Sequence, residues 1–136
     1  MALKDTMYVG DSITDEEAFK LVKENGGLTV SFNGNQYAVR NAEIALLSED
    51  SLTTAVIADV FIKFGKTETL KLVAKWNSRT LENSSMNEDL REQFLKLHPR
   101  ELPKARIITR ENMRDLAKES SEFRKKVRGE ATSRLG

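Results

Sequence analysis

The sequence predicts an α/β fold: a partial parallel sheet of about three strands flanked by helices, followed by a mostly helical extension. Two observations lead there. Across residues 1–65, short apolar runs bounded by glycine or asparagine alternate with segments of helical period. That order, with continuous apolar strands, implies a parallel sheet covered on both faces. Across residues 66–136 the chain turns basic and rich in helix formers. A boundary is placed at Gly65-Lys66, where an apolar helix meets a glycine.

The first strand is Met7-Tyr8-Val9, ending at Gly10. Thr14-Asp15-Glu16-Glu17 has the spacing of a capping box, in which a hydroxyl and an acid three residues on satisfy each other's backbone N–H. The helix it opens carries Ala18, Leu21 and Val22 on one face and stops at Asn25-Gly26-Gly27. Leu28–Phe32 is the second strand, Asn33-Gly34-Asn35 a loop, Tyr37–Asn41 a short helix, and Glu43–Leu47 the third strand. Ser51–Phe64 reads as a helix with Val56, Val60, Phe61 and Phe64 at helical spacing. In the extension, Leu70, Val73, Trp76 and Leu81 form an amphipathic stripe. Ser85–Glu88 has capping-box spacing ahead of a helix that Pro99 and Pro103 end. Ala105–Thr109 could form a short strand, and Met113–Val127 is a last helix with a basic tail expected to fray.

Composition narrows the function classes. The 136 residues suit one ordinary domain, or a smaller core with an extension. A net charge of +1 argues against a dedicated nucleic-acid binder. The absence of cysteine excludes disulfides and thiolate metal sites. No apolar run reaches the length of a membrane span, and no signal-peptide core stands at the start, so a cytoplasmic protein is expected.

The chemistry concentrates in Gly10-Asp11-Ser12-Ile13-Thr14-Asp15. Ligands of open parallel sheets bind beyond the carboxyl ends of the strands, where Asp11 would sit. Asp15, one helical turn on, could return its carboxylate to the same place. Two carboxylates suit Mg²⁺, a hard ion that keeps several waters. The small residues Gly10 and Ser12 would let the backbone approach a phosphate, which the free N–H groups of a helix start favour. The bland alternative is that these aspartates only make a turn and a helix cap.

The stretch Tyr8–Asp15 resembles the fourth conserved motif of the haloacid dehalogenase (HAD) superfamily. Gly26–Asn35 resembles the strand and loop that carry G-x-x-V-x-x-G-N-A in HAD phosphatases, and Ala42-Glu43-Ile44-Ala45 resembles the A-D-x-V strand after it. The likeness covers residue 5 to about residue 65 and is nearest to archaeal HAD-like proteins, a group that includes a proposed subunit of an energy-converting hydrogenase. It implies a Rossmann-like core, Asp11 and Asp15 as metal residues, Mg²⁺ as cofactor, and phosphatase activity in the complete protein.

The same resemblance implies an aspartate nucleophile in a D-x-D pattern on an earlier strand, the carboxylate form of covalent catalysis. Only nine residues precede Gly10, and no D-x-D occurs anywhere. Asp5 stands at the wrong end of the strand, Lys4 is too near Asp11 to serve as the phosphate-binding lysine, and Asp59, Asp89 and Asp115 fall in helices. His98 reads as a helix-end residue, Trp76 as core or interface, and Arg124-Lys125-Lys126 as a solvated helix face, with a weak anion patch as the alternative. No catalytic residue is therefore assigned. The leading reading is a HAD-like hydrolase fragment or remnant with little activity alone; the alternative is a non-catalytic interaction module or a subunit of a larger complex. A response-regulator-like acceptor fits less well, since it needs a second acidic strand end. The Met7–Val9 strand would be an apolar edge that needs a cover. Candidates are a second copy of the chain, the Ala105–Thr109 segment, or a complementary amino-terminal HAD half.

Overall fold

The computed structural model describes residues 2–135, with side chains for 2–129. The sheet has four strands in the order β1 (Met7–Gly10), β2 (Leu28–Phe32), β3 (Ile44–Leu47) and β4 (Lys104–Ile107). β1 and β2 pair in parallel, with Gly10 opposite Ser31. β2 and β3 are also parallel, with Phe32 opposite Leu46. β4 runs antiparallel to β3, with Leu47 opposite Lys104. The mixed α/β class is as expected, but the extension is not only helical. Its Lys104–Ile107 segment adds the fourth strand, and it does so beside β3. It therefore does not cover β1, which remains a sheet edge among the described residues.

Local chemistry sets the helix ends. α1 (Glu16–Glu24) stops where Gly26 takes φ 83°, a left-handed turn that glycine adopts without steric cost. At α2 (Gln36–Asn41), the Asn35 side chain accepts from the N–H groups of Tyr37 and Ala38. α3 (Leu52–Ala74) is two helical pieces joined at Gly65, whose φ of 84° breaks the helix where the sequence put its boundary. α4 (Ser78–Glu82) and α5 (Glu88–Leu97) are capped by the side chains of Asn77 and Asn87. The cap of α5 thus sits two residues beyond the expected Ser85. α6 (Met113–Leu135) continues through the basic tail expected to fray; Gly136 lies outside the described residues.

Each face of the sheet has its own core. Leu28, Val30, Ile44, Leu46 and Ala105 point to α3, where Ile57, Phe61 and Val73 meet them. Residues from both sides of Gly65 thus share one cluster. Each fully buried Leu, Ile or Val contributes up to about 2 kcal/mol. On the opposite face, Phe19, Ala38 and Ala42 pack with Tyr8, and Val39 and Ala45 pack with Leu116 and Ala117 of α6. A third cluster joins Val56, Val60 and Leu72 to Leu81, Met86 and Phe94, anchoring α4 and α5 on α3. The consequence for function is that α6 lies over the carboxyl ends of β1 and β2.

Candidate functional site

Asp11 follows β1 directly, so it stands at the carboxyl lip of the parallel strands, the position the sequence assigned to it. A turn of 3-10 helix, Ile13–Asp15, leads into α1 and swings Asp15 back over the strand end. There its Oδ2 accepts from the backbone N–H groups of Asp11 at 2.8 Å and Ser12 at 3.1 Å, and its Oδ1 accepts from the Tyr8 hydroxyl at 2.7 Å. The anion at this helix start is Asp15 itself. It also fills the space Gly10 leaves open: a Cβ on Gly10 would come within 2.5 Å of Asp15 Cγ. The Ser12 hydroxyl lies 2.9 Å from Thr14 Oγ1. The acid that caps this turn is therefore Asp15, three residues after Ser12, and not Glu17 after Thr14, because Ser12 is the residue with extended backbone.

Burial pushes the Asp15 carboxyl up, but the hydrogen bonds from Asp11, Tyr8 and Ser12 outweigh it and hold the group below its ordinary 3.8. The same bond, with burial and the nearby charge, holds the Tyr8 phenol above its ordinary 10.0. The signs follow from linkage. A carboxyl depressed in the fold stabilises above its unfolded value, and that stability is lost as pH falls through the folded value. A phenol raised in the fold stabilises below 10.0 and loses this as pH rises toward its folded value. Tyr8→Phe is therefore expected to cost about 1.5 kcal/mol at neutral pH. The difference between wild type and variant in urea unfolding should stay flat through neutral pH and shrink above pH 10.0. A difference that persists unchanged in strong alkali would count against this pairing.

Asp11 is half exposed, and its Oδ2 lies 3.1 Å from Arg124 Nη1 of α6. Arg124 Nη1 also donates to the Asp11 carbonyl and to the Asn33 carbonyl, each at 3.1 Å. Asn33 takes φ 47°, which asparagine tolerates, and its side chain bonds both the N–H and the carbonyl of Ser48, tying the ends of β2 and β3 together. Arg124 and Asn33 are the residues that sequence reasoning missed. The charge run Arg124-Lys125-Lys126 reads in the sequence as a solvated face, whereas the Arg124 side chain is largely buried. A signal was present: Leu116, Ser120 and Arg124 recur every fourth residue, and the Ser120 hydroxyl donates to the Gly34 carbonyl at 2.6 Å.

Magnesium, the ion the resemblance implies, finds no ready cage here. Both oxygens of Asp15 are engaged by three donors, Asp11 faces a guanidinium, and no group of three His, Asp or Glu side chains converges among the described residues. A hollow of about 150 Å³ lined by Asp11, Phe32, Asn33, Arg124, Val127 and Arg128 is too small for an organic phosphate, since ligand pockets run to about 300 Å³ or more.

The other candidates have structural roles. Asp5 and Lys4 lie in a 3-10 turn ahead of β1. Asp59 pairs with Lys63 and accepts from the Asn87 N–H. Trp76 donates to the Pro103 carbonyl at 2.8 Å. His98 Nε2 lies 2.8 Å from Asp50 Oδ2, while Asp50 Oδ1 accepts from Leu52 N–H at the start of α3. This pair lines an open cleft of about 1150 Å³ at the end of β3 and joins the end of α5 to the start of α3.

No family model matches the chain, and no curated protein matches it. Among solved structures, it is similar to a gene product of Archaeoglobus fulgidus, AF1437, with a TM-score of 0.65 and 23% identity across 90% of this chain. The chain spans 32% of that longer protein. The likeness establishes a shared α/β fold. No helix among the described residues is long and apolar enough to cross a membrane.

Proposed function

We propose that this chain is the carboxyl-terminal part of a HAD-type phosphohydrolase core, with little or no turnover of its own. The observation that carries the reading is the placement of the Gly10–Asp15 turn at the carboxyl end of β1, an edge strand whose outer backbone groups face no other described strand. A parallel strand added there would set its own carboxyl end beside Asp11. That is where the resemblance expects the nucleophile. The similarity to one third of a longer archaeal protein supports a larger whole. The missing strand would come from a preceding segment or from a separate polypeptide, the complementary amino-terminal half. A cytoplasmic location belongs to the same proposal.

The chain alone, given p-nitrophenyl phosphate and Mg²⁺, is expected to show no turnover above background. The genomic DNA upstream should be read for a D-x-D-bearing frame, and its product mixed with this chain. Turnover should then rise, and Asp11→Asn should lower it by about 100-fold. Strong turnover by the chain alone would contradict the reading. A mixed complex that forms but stays inactive would favour the alternative, a non-catalytic module or subunit. Arg124 against Asp11 is the observation that favours that alternative. A second copy pairing edge to edge across β1 would show as a dimer in sedimentation.

A further inference from the structure

β4 is the second edge of the sheet, and which of its backbone groups face outward follows from the register. The Ile108 N–H donates to the Glu43 carbonyl at 2.9 Å, and Ala45 stands opposite Arg106. Backbone groups alternate sides along a strand, so Lys104 and Arg106 bond β3, while Pro103, Ala105 and Ile107 turn their groups away from it. Part of that outer row is already out of use. The Pro103 carbonyl accepts from Trp76 Nε1 at 2.8 Å, and the Ile107 carbonyl accepts from Asn112 Nδ2 at 2.9 Å. Pro103 has no N–H to offer. The Ala105 N–H and carbonyl and the Ile107 N–H are left. Space lies beside them, since Pro103, Ala105 and Arg106 line the open cleft of about 1150 Å³ together with Trp76. The β1 edge is different. The Leu28 N–H donates to the Thr6 carbonyl at 3.0 Å, so Met7 and Val9 turn outward, and among the described residues no side chain bonds their backbone.

We propose that Trp76 guards the β4 edge against a second copy of this chain, so that strand addition is confined to β1. An antiparallel pair of β4 strands centred on Ala105 would exchange two bonds between the alanines. It would then need the Ile107 N–H of each copy to reach the Pro103 carbonyl of the other. The indole holds that carbonyl, and its ring is fixed by packing against the clusters on both sides of α3. The same pairing would set Lys104 of one copy opposite Arg106 of the other, like charge against like. With β1 and β4 both open, copies could stack edge to edge without closure. The guard itself owes nothing to the hydrolase reading; only the role of β1 rests on it. If no strand ever adds to β1, the proposed function fails and the guard stands.

The test combines sedimentation with hydrogen exchange read residue by residue by NMR. In wild type the Ile107 amide should exchange fast and the Arg106 amide slowly, and neither should depend on protein concentration. Trp76→Phe keeps an aromatic ring in the packing and removes the indole N–H. It should strengthen dimer association by about 30-fold, the effect of two carbonyls, one per copy, each freed for one net hydrogen bond. The Ile107 amide should then become protected as concentration rises. Adding Arg106→Thr should strengthen the dimer further. A folded Trp76→Phe chain that associates no better than wild type overturns the proposal. So does a dimer that leaves the Ile107 amide fast, or one that Arg106→Thr weakens. Trp76→Leu serves if the phenylalanine variant does not fold. Should neither fold, wild-type exchange decides: a slow Trp76 indole N–H beside a fast Ile107 amide upholds the guard, and any other pattern overturns it.

Discussion

Phe94→Ala is expected to cost about 4 kcal/mol, the upper range for emptying a packed aromatic site. Phe94 is fully buried among Val56, Val60, Leu72, Leu81 and Met86. Its ring centroid lies 6.0 Å from that of Trp76 and 5.1 Å from that of His98. Little around it can collapse into the void, because the neighbours belong to α3, α4 and the loop before α5, which are anchored elsewhere. A domain of this size has a total stability of about 5–15 kcal/mol, so the variant should unfold at a much lower urea concentration. The result also tests whether the sheet and the extension form one cooperative unit. The clusters on both sides of Gly65 are shared, which predicts that Trp76 fluorescence and far-ultraviolet circular dichroism will shift together. If fluorescence alone moved and the sheet transition stayed in place, the extension would be a separate folding unit.

Gly10→Ala is the second large effect, at about 3 kcal/mol. The added methyl would stand 2.5 Å from Asp15 Cγ and 2.7 Å from Oδ2, so the carboxylate must leave. With it go the bonds to Tyr8, Asp11 and Ser12. Asp15→Ala removes those bonds without a clash and should cost about 2 kcal/mol. The pair is therefore expected to be partly non-additive: on Asp15→Ala, Gly10→Ala no longer displaces a carboxylate, so it should cost less than in wild type, although its methyl still meets the Cβ of residue 15 at 2.7 Å. Additive costs in a double-mutant cycle would mean that Gly10 serves some other contact. The acidic turn is thus a folded object in its own right, with glycine, tyrosine and aspartate locked together before any ligand is considered.

How much of this was legible depends on the range of each interaction. β3 was readable as a continuous apolar run and β2 as apolar residues alternating with the small hydroxyl residues Thr29 and Ser31 that its buried faces admit, and the stop at Asn25-Gly26-Gly27 was readable because a left-handed turn favours glycine within the segment itself. The capping acid was misassigned by two residues: two overlapping capping-box patterns, Ser12–Asp15 and Thr14–Glu17, compete in the sequence, and spacing alone does not choose between them. The fourth strand was foreseen as a segment, but its place was not. Pairing partner and direction depend on where α3, α4 and α5 deliver the chain. The helix face of Arg124 was legible in the spacing of Leu116, Ser120 and Arg124, but its target was not, since it meets Asp11 across 113 positions.

By itself the sequence determined the strand–helix alternation, the acidic turn after β1, and the glycine break at residue 65, because each rests on backbone preference or burial within a few residues. Only the tertiary structure decided that Lys104–Ile107 pairs with β3, leaving β1 uncovered among the described residues, and that a guanidinium from α6 meets Asp11. Those outcomes depend on which faces pack against which, and a helix carries its charges to wherever its apolar side is buried.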